Sequence, residues 1–193
     1  MFEQRLESNR SLLMPAFSAA GLQNYLFLAQ NTSQGTTPGG QPVSWDVAAQ
    51  GWPSLSWMAS NNKRLVLFSD WGSQTKNVAN QDGCPWVWDY AVENEYGDAS
   101  LRGGCLPRGG SQPLGSTAQA LFIMNYFPTT DPVLDEIIDI NDYYAIMAKC
   151  TTCTALAARA PNFIAVDFYQ YGSSGGPRAI VEQMNAVWAE QSP

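Results

Sequence analysis

Three continuous apolar runs, each closing on polar residues, constrain this chain more than any other feature. Leu65-Val66-Leu67-Phe68 ends in Ser69 and Asp70. Ala120 to Met124 ends in Asn125 and Tyr126, and Phe163-Ile164-Ala165-Val166 ends in Asp167, Phe168 and Tyr169. None of the runs alternates apolar with polar residues. Each therefore reads as a strand buried on both faces, the pattern of a parallel sheet covered by helices. Long connections with helical spacing separate the runs, as parallel strands require. In such folds the functional site is built at the carboxyl ends of the strands, where these polar residues stand. Asp167 is conspicuous there, because an unpaired buried carboxylate costs several kcal/mol or takes up a proton.

The remaining segments fit an α/β chain. Residues 1 to 28 place Phe2, Leu6, Leu12, Leu13, Phe17, Leu22, Leu26 and Phe27 on one helical face, with Pro15 and Gly21 as breaks. Residues 31 to 45 form a polar loop rich in Gly, Pro and Thr. A short helix is predicted within 51 to 62, after Pro53 and capped by Ser54. Residues 72 to 116 show little periodicity and read as a long loop with a short helical or extended piece around Val87 to Val92. Helical spacing returns over 131 to 158 and again over Pro177 to Trp188. The glycine-rich GSSGG at 172 to 176 lacks the GK[ST] of a phosphate loop and reads as a turn, with Pro177 at the first helical position. A length of 193 residues suits a single domain over 1–193 and is short for two.

Composition removes whole classes of function. The chain has no histidine, so imidazole is absent as base, acid or zinc ligand from this polypeptide. Its net charge of −7 argues against nucleic acid and against anionic lipid surfaces, both of which select basic patches. No apolar run is long enough for a transmembrane helix. The start, MFEQRLESNRSLLMPAF, is too charged for a signal peptide, so a targeting segment for a secreted chain would lie outside these residues. Charged residues make up only 14% and the cysteines are four, Cys84, Cys105, Cys150 and Cys153. Together these suit an extracellular, oxidising location with one or two structural disulfides. Cys150 and Cys153 also have the CxxC spacing of a redox pair or half a zinc site, but no second CxxC exists. Asn9-Arg-Ser and Asn31-Thr-Ser are glycosylation acceptors in a secreted chain.

Four stretches in order, GWPSLSWMASNNKRLVLFSD, WDYAVENEYGD, LFIMNYFP and APNFIAVDFYQYG, closely resemble successive motifs of the phosphatidylinositol-specific phospholipase C X-domain-like phosphodiesterases. The likeness runs from about Phe17 to Trp188 and covers only the family's carboxyl-terminal half. It implies a partial TIM-type β/α barrel, since a complete barrel takes roughly 250 residues. It also implies that the two catalytic histidines, with an arginine or calcium site, belong to amino-terminal strands that this chain does not match. The chain would then be the carboxyl-terminal half of a phosphoric diester hydrolase and inactive alone. The alternative is a non-catalytic module, derived from that barrel, that binds a ligand or pairs with a partner chain.

By the same resemblance, Asp167 matches the aspartate that hydrogen-bonds the general-base histidine, fixing its tautomer and stabilising the imidazolium. Asn125 and Tyr126 either line the ring-binding mouth or serve as a loop cap and a half-buried tyrosine. Tyr169 either stacks on an inositol or sugar face or packs in the core. Asp70 either binds ligand hydroxyls or, the better reading, caps a turn before Trp71-Gly72. Asp135, Glu136, Asp139 and Asp142 read as a solvated acidic face. No metal site or cofactor is expected within this chain, calcium belonging to residues outside it. The expected partners are a small phosphodiester or inositol-like ligand of the completed barrel and the missing amino-terminal half. Cys105 and Cys150 are expected to be structural, with the pairing unassigned and Cys150–Cys153 still open.

Overall fold

The apolar run at Ala120 becomes the centre of a parallel sheet. In the computed structural model, which describes residues 10–29, 45–68, 70, 85–117, 120–130 and 132–191 (the side chains of 10–14, 48, 188, 190 and 191 excepted), the order is β1-β2-β3. The strands are β1 (Ala91–Glu93), β2 (Leu121–Asn125) and β3 (Phe163–Ala165). The amino-terminal stretch to Asn9, most of the loop at 31–45, the sequons, Trp71 and Cys84 lie outside the described residues. The chain divides into two compact units, Met1–Tyr90 and Ala91–Pro193.

In the first unit, helix α1 (Arg10–Ala19) leads through a 3-10 turn at Leu22–Tyr25 into an extended segment. Pro15 lies inside α1 instead of ending it. A proline removes its own rung of the helical ladder and crowds the carbonyl four residues back, yet the helix continues past it and Ala20 N–H bonds the Ala16 carbonyl at 2.9 Å. Gly21, at φ 70, does end the helical stretch. Leu26 forms a parallel bridge with Leu65, with Phe27 N–H donating to the Leu65 carbonyl at 2.8 Å and Leu65 N–H to that of Tyr25 at 3.0 Å.

The run Leu65 to Phe68 is thus extended and packs on both sides. Leu65 and Leu67 gather with Leu26, while Val66 and Phe68 join Phe27, Trp52 and Tyr90. Among the described residues its pairing is that single bridge, so the expected strand is realised as an extended segment. Two short helices follow the first extended piece, α2 (Val47–Gln50) and α3 (Leu55–Ser60). As expected, Ser54 caps α3, its hydroxyl accepting from Trp57 N–H at 3.1 Å. Trp52 sits among Phe27, Phe68 and Tyr90 with ring centroids 5.7–6.0 Å apart, and the described tryptophans are all at least partly buried.

The second unit is built on the parallel sheet. Register pairs Val92 with Phe122 and Met124 with Ile164. Strand alternation then sets these four on one face. They pack with Ile146, Cys150 and Cys153 of α5 (Tyr143–Ala157) and Ile180 of α6 (Gly176–Gln191) into the main core. The helical spacing over 131 to 158 resolves into two helices, α4 (Leu134–Ile140) and α5, broken at Asn141. The expected long loop over 72–116 contains a 3-10 turn at Val87–Asp89 and then β1, at the place where an extended or helical piece was expected.

One expectation fails at β3. It covers three residues, is not buried on both faces, and leaves Phe163 51% exposed. Phe163 shares the face of Ile123, opposite the one through which Ile164 packs against the main core, and β3 has a single strand neighbour among the described residues. The cysteines meet expectation at Cys105, which forms a disulfide, and depart from it at Cys150. Cys105 pairs with Cys153, while Cys150 is a buried free thiol. Lys149, one turn before Cys153, donates to the carbonyls of Arg102 and Gly104, so it is the side of α5 carrying Lys149 and Cys153 that meets the Cys105 segment.

Candidate functional site

At the carboxyl ends of β1 and β2 the face opposite the helices turns polar. Alternation places Glu93 and Asn125 on that face together with Ala91 and Ile123. Asn125 donates its side-chain amide to the Glu93 carboxylate (Oε2, 3.0 Å) and to the Asn94 carbonyl (3.0 Å). Asn94 reciprocates, its amide donating to the Asn125 carbonyl at 3.1 Å and its Oδ1 accepting from Asn125 N–H at 2.7 Å. Arg108 adds an ion pair, its Nε 2.5 Å from Glu93 Oε1, and its own N–H donates to the Glu93 carbonyl at 3.1 Å. Glu93, Asn94 and Asn125 are buried. A charge in such a place is tolerated only when paired and hydrogen-bonded, which this cluster provides.

The loop after β3 is held from the α4–α5 corner. Asn141, 1% exposed, donates its side-chain amide to the carbonyls of Asp167 (2.8 Å) and Phe168 (3.2 Å). Phe168 adopts φ 51, a left-handed conformation that costs a bulky residue about 1–2 kcal/mol. Such strain persists where surrounding bonds impose it. Asp167 borders a shallow, solvent-open depression lined also by Pro128, Ile137, Ile140 and Phe168. Its side chain is exposed, so it is a solvated carboxylate and not the buried charge that the apolar run suggested.

Asp142 caps α5, its Oδ1 accepting from Tyr144 N–H at 2.9 Å and Ala145 N–H at 3.3 Å, while Ser173 donates its hydroxyl to Oδ2 at 2.7 Å. The Ser173 hydroxyl, with the backbone amides, holds the Asp142 carboxyl below its usual range against the opposing effect of burial. Tyr126 belongs to the main core, and burial first, then the Asp142 charge, raise its phenol pKa. Tyr169 is 75% exposed on the loop beyond Asp167. Asp70 lies in the other compact unit and accepts from the Trp88 indole N–H. The structure therefore joins Asn125 to Glu93, Asn94 and Arg108, and sets Asp167 with Asn141.

Glu93, Asn94, Arg108 and Asn141 are not marked as site residues by any motif in the sequence. Glu93-Asn94 follows an apolar pair within WDYAVENEYGD, and that brief run into a carboxylate was the available signal. Arg108 carried none, because its partner is 15 residues away and only the fold brings them together. Among the described residues no group of three or more Cys, Asp or Glu gathers in a cation-binding arrangement. No described helix is long and apolar enough to cross a membrane.

The profile of the family PI-PLC X 1 matches residues 11–182. A PI-PLC X domain-containing protein of Arabidopsis thaliana is 34% identical over 177 residues, covering 90% of this chain and 37% of its own length. The chain thus spans little more than a third of that relative. No solved structure gives a significant match.

Proposed function

The chain belongs to the PI-PLC X domain family, and from that premise we propose that it supplies the carboxyl-terminal half of a phosphodiester-hydrolysing β/α barrel. The observation that carries this reading is the alignment of polar groups with one sheet edge. Glu93 and Asn94 end β1, Asn125 ends β2, and Asp167 follows β3, all three strands running parallel. A parallel sheet presents its chemistry at that edge. The exposed flank of β3 supports the same reading, since an edge strand carrying a half-exposed Phe163 is suited to a further neighbour.

In this scheme Asp167 accepts a hydrogen bond from the Nδ1–H of a general-base histidine supplied by amino-terminal strands, keeping its Nε2 free to take the proton of the attacking hydroxyl. Asn125, Glu93 and Arg108 shape the mouth that receives a small phosphodiester or inositol-like ligand, and Tyr169 offers a ring face to it. The secreted location, and calcium held by residues outside this chain, belong to the same proposal.

The test is turnover of phosphatidylinositol and of inositol cyclic phosphate. The 193-residue chain should not exceed buffer, because it lacks the imidazole acid and base, worth several orders of magnitude. The same chain joined to histidine-bearing amino-terminal strands of the family should turn substrate over. Turnover by the chain alone, or none by the joined protein, would overturn the proposal.

A further inference from the structure

We infer that Asn141 is the positioning residue for Asp167, an inference that rests on the reading of Asp167 given above. Asn141 sits at the corner where α4 ends and α5 begins, and its backbone N–H already closes the last turn of α4 on the Ile137 carbonyl at 2.9 Å. Capping α4 therefore does not employ the side chain. The amide instead reaches across 26 and 27 residues to two successive carbonyls, those of Asp167 and Phe168. Few side chains can do this. Two N–H groups on one short, uncharged arm are needed, so Asp lacks the donors and Leu has none.

The two bonds fix the peptide planes that follow the Asp167 and Phe168 Cα atoms, and with them the left-handed Phe168. The corner adds further ties around the same loop. Tyr143 N–H donates to the Ser173 carbonyl at 3.3 Å and Ser173 to the Asp142 carboxylate at 2.7 Å. A Cβ at Gly172 would collide with the Asn141 carbonyl oxygen, so the loop can return past the corner only as glycine. The direction in which Asp167 points is thereby set by a residue with no part in proton transfer.

The experiment has two arms. In the 193-residue chain, Asn141→Ala and the isosteric Asn141→Asp are followed by hydrogen exchange. Both should speed exchange at the Tyr171 amide, which closes a turn on the Phe168 carbonyl at 2.8 Å, by roughly tenfold or more, with β2 amides unchanged. No change in the loop, or equal acceleration throughout residues 91–193, overturns the inference. In the protein joined to histidine-bearing strands, Asn141→Asp should lower kcat as Asp167→Asn does, with KM within about twofold and no further loss in the double variant. If Asp167→Asn lowers kcat and Asn141→Asp does not, the inference falls. If Asp167→Asn itself leaves turnover unchanged, the reading of Asp167 falls, and the exchange data alone decide whether Asn141 pins the loop.

Discussion

Asn125, the last residue of β2, donates its side-chain amide to the carboxylate of Glu93, the last residue of β1, across 3.0 Å. Register explains the meeting. Glu93 pairs with Ile123, so Asn125 stands two residues further along the neighbouring strand on the same face, a diagonal that long side chains can span. Because Glu93 also meets Arg108 and Asn125 also meets Asn94, removing any one member strands the others away from water.

Asn125→Ala should therefore destabilise the protein by about 2 kcal/mol, the cost of leaving buried partners unsatisfied. Glu93→Ala should cost at least as much, since the Arg108 charge loses its counter-ion. Urea unfolding of both variants checks this. A loss below about 0.5 kcal/mol would mean that the cluster contributes little to folding.

Alkylation before and after denaturation, followed by mass spectrometry, should find Cys105 linked to Cys153 and Cys150 protected until the protein unfolds. The bridge spans 48 residues, which in the loop-entropy description corresponds to about 4 kcal/mol, so Cys105→Ser should lower stability severely. Recovery of a Cys150–Cys153 or Cys105–Cys150 peptide in native protein would contradict this pairing.

Stability should fall on the alkaline side. Burial pushes the Cys150 thiol from 9.0 up to about 11. Between those values the native state keeps a proton that the unfolded chain has released, so stability declines as pH rises. The raised Tyr126 phenol acts in the same direction above pH 10.0, while Lys149, lowered by burial, opposes both below 10.5. Cys150→Ala should flatten the decline between pH 9.0 and about 11. An unchanged pH profile would show that the thiol titrates alike in both states.

On the acid side the sign reverses. The Asp142 carboxyl is held below 3.8, above all by Ser173, so its contribution is present above that value and is lost as pH falls through the lowered pKa. Ser173→Ala should bring the carboxyl back toward its ordinary range and move the acid unfolding midpoint, followed by circular dichroism, to higher pH. A midpoint that stays in place would remove Asp142 from the acid transition.

Local information identified much of the fold. The helix after Ser54, the closing helix after the glycine-rich turn and the strand ending in Asn125 follow from caps, breakers and apolar runs. The break at Asn141 was hidden, because Ile140 and Tyr144 continue the helical spacing across it. Strand β1 was nearly hidden as well, since three residues are too few to show a period.

By itself the sequence determined the α/β class, the polar strand ends, the lack of imidazole and the family likeness, all of which depend on residue type and near-neighbour order. Tertiary structure alone decided the order of the described strands, that Asp167 is solvated and that Phe163 is half exposed. It also decided that Cys105 joins Cys153, that Arg108 reaches Glu93, and that Asn141 grips the loop after β3. Each of these joins residues 15 to 48 positions apart. Nothing in residue type or local spacing encodes such a distance until helices and strands pack.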